Sequence, residues 1–222
     1  MTNRYKPPST GTQLRARPIP HTVFDHACLD FVNSDLFDHR GGPGRFDRMT
    51  TPEWRRWFTD RWGVIAPINP SAGAMERMKA VRSLIRELLE AGAIPSAVQL
   101  RGLNRVLAAT SYKWRLREVE PNAGRRVFEI KLEAVEAGWD SVLAAVVASF
   151  AELVANDSLN RTKRCGNPDC HFIFFDDSGS RTRRWCDPHI CGNLVKVRAF
   201  RARSRRPSGQ AVQARRQPSR RN

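Results

Sequence analysis

The sequence contains no apolar run approaching the roughly 18 to 20 residues that a membrane-spanning helix needs, so no membrane role is expected. Its first residues, MTNRYKPPSTGTQLRARP, lack the apolar core of a signal peptide. A soluble, cytoplasmic chain is the expectation, with the nucleoid as one place where it would work. No nucleophile elbow, phosphate-cradling glycine loop or zincin motif occurs, and without a visible catalytic constellation the chain is not expected to be an enzyme. Acidic residues are scarce: 22 Asp and Glu stand against 38 Lys and Arg, for a net charge of +16. The surplus is uneven. Residues 161–222 hold 16 Lys and Arg but only four Asp and Glu, while the first 160 residues are nearly balanced. A basic end on a balanced body points to a polyanionic partner for that end.

Among the 222 residues 41% are hydrophobic, enough for one real core and a small appended module, which excludes a wholly disordered protein. Residues 1–20 hold four prolines and little apolar surface, and are read as a flexible basic arm. Phe24, Cys28 and Phe31 follow a helical spacing until HRGGPGRFD interrupts it. Thr51-Pro52 then begins a second helix, carrying Trp54, Trp57, Phe58 and Trp62 and ending at Gly63. A third runs from near Ser71 to Ala91, a fourth from Ser96 to about Thr110. The period changes to two where Tyr112, Trp114 and Leu116, then Phe128, Ile130 and Leu132, alternate with charged residues around PNAG, which predicts a β-hairpin at about 111–134. An apolar helix from Trp139 to about Leu159 is expected to lead straight into a cysteine-bounded unit. The resulting class is α+β, mainly α: a helical domain over 21–160, a cysteine-bounded unit with a basic helix over 161–206, and a disordered Arg-rich tail over 207–222.

Four of the five cysteines fall within 27 residues, as C-x4-C, 15 residues, C-x4-C. Persistent disulfides are not expected inside a cell, and two short loops that each offer two thiolates suit a tetrahedral metal. Cys165, Cys170, Cys186 and Cys191 are therefore the expected ligands of one structural Zn2+ per chain. His171 and His189 are competing ligands for a Cys3His site. Four thiolates leave no open position for a reacting water. Beyond Cys191, GNLVKVRAFRARSRR reads as a helix with Arg198, Arg201 and Arg205 on one face. Together with Lys196, Arg203 and the loop residues Arg181, Arg183 and Arg184, these are the candidate nucleic-acid contacts.

The segment CGNPDCHFIFFDDSGSRTRRWCDPHICGNLVKVRAFRAR closely resembles the CGNR-type zinc finger. Matching elements are both cysteine pairs, F-D-x-S at Phe175, Asp176 and Ser178, R-R-W-C from Arg183 to Cys186, and C-G-N at Cys191, Gly192 and Asn193. Upstream, Cys28-Leu29-Asp30-Phe31-Val32-Asn33-Ser34 is similar to the opening of the ABATE domain, which precedes this finger in that family. The resemblance implies a bacterial two-domain protein, with a largely helical domain ahead of a treble-clef finger, acting as a stress-induced transcription regulator. Leu194 departs from the pattern by standing where the family's signature arginine would be. Its presence implies either one contact fewer to phosphate or base, or an internal packing position.

Asp25, His26, Asp30, Asp38 and His39 form an acidic and imidazole-rich stretch without metal-ligand spacing. Within it, Asp30 and Asn33 are candidates either for an unidentified small-molecule ligand or for hydrogen bonds between helices. The functional expectation is a DNA-binding regulator whose helical domain senses a signal or forms a homodimer. RNA or ribosome binding is the alternative partner reading, and small-molecule catalysis in the helical domain ranks below both.

Overall fold

A computed structural model describes residues 26–37, 44–122 and 125–204. Its centre is α1 (Ala27–Val32), only six residues long and buried throughout. Such a short helix cannot be stable alone. It forms because α2 (Pro52–Trp62), α3 (Ala72–Ala91) and α5 (Trp139–Ala155) surround it. Helix α2 has the ends its sequence predicts: the Thr51 hydroxyl accepts from the Trp54 N–H at 3.4 Å, and Gly63 takes the left-handed conformation at φ 60°. Helix α3 is capped by Ser71 and terminated by Gly92 at φ 57°, and α4 (Ala97–Leu107) opens with a reciprocal capping box between Ser96 and Gln99. Trp54, Phe58 and Phe31 form the aromatic floor, with Trp54 and Phe58 stacked at 5.0 Å. The inner residues of α3 and α5, among them Met78, Ile85, Val142, Val146 and Phe150, close over it.

The hairpin of β3 (Tyr112–Asn122) and β4 (Arg125–Ala134) is antiparallel, with Leu116 opposite Ile130. It falls where the two-residue period predicts. Two features differ from expectation. The interruption after α1 contains a second hairpin, β1 (Asp35–Phe37) with β2 (Arg45–Asp47). Three-residue strands are too short to show an alternation in the sequence. It is fastened by Arg82 on α3, whose guanidinium donates to both Asp47 carboxylate oxygens at 2.6 Å and to the Ser34 hydroxyl. Helix α5 also stops at Ala155 rather than near Leu159, because Asp157 turns the chain at φ 51°. A single 3-10 turn, Leu159–Arg161, then leads into β5 (Thr162–Arg164), which pairs antiparallel with β6 (Ile173–Phe175).

No described helix is long and apolar enough to cross a membrane. The proposed arm, Phe24, Asp25, Asp38, His39, Arg205 and the tail lie outside the described residues.

Candidate metal centre and nucleic-acid interface

Two tight loops bring the four cysteines together. In the first, the Cys165 N–H donates to the Phe172 carbonyl and the Cys170 N–H to the Asn167 carbonyl, both at 2.9 Å. In the second, the Asp187 carboxylate accepts from the N–H groups of His189 (2.7 Å) and Ile190 (3.1 Å), capping the turn Pro188–Gly192 that carries Cys191. A bond from the Gly166 N–H to the Arg184 carbonyl at 2.8 Å ties one loop to the other. The four Sγ atoms lie within 4.8 Å of one another, with Cys170 to Cys186 at 3.8 Å and Cys186 to Cys191 at 3.6 Å. Tetrahedral zinc with bonds of about 2.3 Å needs sulfur separations of about 3.8 Å. A disulfide needs about 2 Å, and all four cysteines are free.

The chemistry of the donors agrees with the geometry. Hydrogen bonds from Cys170, Cys186 and Cys191 hold the Cys165 thiol far below its ordinary value, while the same crowding drives the Cys186 thiol far above it. Four thiolates this close repel one another, and a dication removes that penalty by neutralising them. His171 lies against Arg164, its Nδ1 2.8 Å from the guanidinium, and His189 is exposed. The ligand set is therefore the four cysteines.

Around the metal position the motif residues acquire physical roles. Trp185 is wedged between the loops, over two glycines: a Cβ on Gly166 would lie 3.1 Å from its ring, and one on Gly192 also 3.1 Å. The tripeptide Cys-Gly-Asn occurs in both loops, and each glycine makes room for the same indole. Asn167 is buried and donates to Cys191 Sγ at 3.7 Å, an outer hydrogen bond to a ligand sulfur. Asp176, fully buried, accepts from Lys163 Nζ (2.6 Å), the Ser178 hydroxyl and N–H, and the Arg183 N–H (3.0 Å). Burial would raise its carboxyl, but the Lys163 ammonium and the Ser178 donors hold it well below the usual carboxylate range. These outer partners were not singled out by spacing. The signal available was the recurrence of Gly beside a Cys-Asn pair and an aspartate directly after an apolar strand.

The finger is joined to the helical body. Asn33 straddles the backbone of Ile173, donating from Nδ2 to its carbonyl at 2.7 Å and accepting its N–H at Oδ1 at 2.9 Å. Arg86 on α3 donates to the carbonyls of Val32 (2.6 Å) and His171 (2.9 Å). Ile173 and Phe174 belong to the same buried core as Phe31 and Ile85. Asp30 accepts from Arg61 Nε (3.3 Å) and Trp62 Nε1 (3.2 Å), so it ties α1 to the end of α2. Asp30, Asn33 and Ser34, the polar residues of the Cys28–Ser34 motif, thus all bond protein groups, the Ser34 hydroxyl donating to the Phe31 carbonyl at 2.7 Å. Cys28 itself is buried, and burial pushes its thiol up to about 12, far from a reactive thiolate.

The basic residues divide into two sets. Arg183 turns inward, donating to the carbonyls of Trp185 (3.0 Å) and Cys186 (2.6 Å) with its guanidinium 5.0 Å over the Phe174 ring. It braces the second loop. Arg181 and Arg184 are exposed, the latter lying over Trp185 at 5.3 Å. Helix α6 (Asn193–Ser204) has no buried residue, and Lys196, Arg198, Arg201 and Arg203 all face solvent. Arg198 also pairs with Asp169, an exposed ion pair between α6 and the first loop. Leu194 is half-buried. Phe200, exposed among these arginines, was not among the expected contacts.

A closed four-cysteine centre behind a buried helical body defines a zinc finger protein in which the metal is structural. Residues 161–204 match the CGNR zinc finger family, and residues 25–157 match the ABATE family, described as "Putative stress-induced transcription regulator". The second match spans more than half of the chain, which belongs to the ABATE family. Neither is a family of enzymes. No curated protein matches the chain. When bound, zinc supplies the cross-link that this small unit otherwise lacks; the chain's own residues orient it, exclude water and present α6.

Proposed function

We propose that this protein is a zinc-dependent, DNA-binding transcription regulator of the cytoplasm and nucleoid, in which the helical body receives a stress signal and the finger contacts DNA. The observation that carries the proposal is α6, a helix with no buried residue that leaves a rigid zinc knot and displays four basic side chains. A helix that buries none of its residues fully gains little from a core of its own, and an external surface accounts for its basic display. Arg201 and Arg203 are the leading phosphate or base contacts, with Lys196 and Arg198 beside them and Arg181 and Arg184 extending the charge along the loop. Arg183 serves as a brace within the site. Single-stranded RNA is a second reading, favoured by Phe200, whose exposed ring is suited to stacking on an unpaired base.

Competition among duplex DNA, structured RNA and heparin at several salt concentrations tests this. Sequence-preferring duplex binding that survives heparin is expected. Replacing Arg198, Arg201 and Arg203 by alanine should weaken binding without loss of zinc, and should flatten the log-log salt slope by about 0.9 per phosphate contact removed. Equal affinity for all three polyanions, or a triple variant that binds DNA like the parent, would overturn the reading.

A further inference from the structure

We propose that the β3–β4 hairpin is the surface through which two copies of this chain associate, apolar face against apolar face. Strand alternation has sorted the hairpin: Trp114 and Leu116 on β3 share one face with Phe128 and Ile130 on β4, and Lys113, Arg115 and Glu133 lie on the other. In most antiparallel sheets the apolar face is covered by a core. Here it is open: Trp114 and Leu116 are each 69% exposed, Ile130 68% and Phe128 51%. These four side chains present on the order of 500 Å² of apolar surface, at the upper end of what a soluble monomer leaves uncovered.

Area and charge both favour a second copy as the occupant. Two such faces would bury about 1,000 Å² from these side chains alone, and the hairpin backbone and rim would carry the total to the roughly 1,200 Å² at which specific interfaces begin. The face also matches itself. Its described charge, Glu118 near the tip, is paired with Arg126 at 2.7 Å, and that guanidinium lies 5.1 Å over Phe128. On the opposite face Arg115 pairs with Glu133 at 2.7 Å. Residues 112–134 hold six basic and four acidic residues, whereas residues 161–204 hold ten and four, so two hairpins can approach without the repulsion that two fingers would meet. This near balance argues against a polyanion as the occupant, and a two-stranded ribbon with open backbone edges is unsuited to lipid. An apolar face related to its copy by a two-fold axis is the simplest closed assembly.

The test is made on the zinc-loaded full chain without nucleic acid, so its outcome is independent of the DNA reading. Sedimentation velocity from about 1 to 100 µM should show a species of twice the 25.2 kDa monomer mass. The double substitution Trp114→Glu and Ile130→Glu should raise the dimer dissociation constant at least about 100-fold, with zinc content and far-UV circular dichroism unchanged. In the parent, acrylamide quenching of the exposed Trp114 should fall as the chain is concentrated, an effect lost in Trp114→Phe. A parent that stays monomeric throughout overturns the proposal, even if the hairpin then binds another protein or vesicles. A double variant that dimerises like the parent overturns it too.

Discussion

The two ends of the zinc finger treat their surroundings in opposite ways. At one end, β5–β6 sinks Ile173 and Phe174 into the helical body, with Asn33 bonding both backbone groups of Ile173. At the other, no residue of α6 is fully buried. Only three-residue strands dock, while a twelve-residue helix stands in solvent. Length and regularity therefore do not decide what is structural here; charge does. Strand β6, Ile-Phe-Phe, carries no charge and continues the core, whereas α6 sets its basic residues among Leu194, Val195, Val197 and Phe200 and sends none of them into it. The four cysteine sulfurs lie between these ends, so the body connects to the basic helix through Ile173 and the cysteine loops.

The largest effect should come from the metal itself. Cys186→Ser or chelation removes an interaction of about 10 to 16 kcal/mol apparent free energy. The finger should unfold, as read by lost zinc and lost helical signal. Because Ile173 and Phe174 complete the common core, the body should melt several degrees lower as well. A body whose Tm ignores zinc would show that the docking of β6 carries no energy.

Phe174→Ala comes next. A fully buried phenylalanine replaced by alanine should cost about 3 to 5 kcal/mol in urea unfolding monitored by circular dichroism. One cooperative transition is expected, and two separate ones would divide the finger from the body. Asn33→Ala should follow at about 2 to 4 kcal/mol, because it strands a buried N–H and a buried carbonyl of Ile173; a loss below about 0.5 kcal/mol would mean that water replaces the clamp.

A smaller effect concerns pH. The Asp176 carboxyl is held below its ordinary value when folded, so the unfolded chain binds the extra proton first. Its contribution is complete above the ordinary carboxylate pKa of about 4 and is lost as the pH falls through the lower folded value. Asp176→Asn should therefore flatten the acid limb of the stability curve relative to the parent; identical limbs would remove Asp176 from the account. The smallest change in stability belongs to α6: alanine at Arg198, Arg201 and Arg203 should alter unfolding by no more than about 0.5 kcal/mol per site. A large loss there would break the contrast between the two ends.

Much of this was legible in the sequence, where the signals are local. The start of α2 at Thr51-Pro52, the start of α3 near Ser71, the glycine stop at Gly63 and the period-two run around Trp114 are each fixed by neighbours within a few residues, and the structure has them in place. The four ligands were legible because a metal demands donor pairs at short spacing. Short β1 and β2 were not, since three residues carry no period. The inward turn of Arg183 was hidden as well: in a basic run it looks like its neighbours, and only the carbonyls of Trp185 and Cys186 distinguish it.

By itself the sequence determined that a helical body precedes a four-thiolate zinc unit and a cationic helix, because helix ends, strand periods and metal spacing are set by nearby residues. Only the tertiary structure decided what Asp30 and Asn33 do and which strands join the body, because those bonds close across as many as 140 residues. It also left α6 and one face of β3–β4 uncovered, since exposure depends on what the rest of the chain fails to reach.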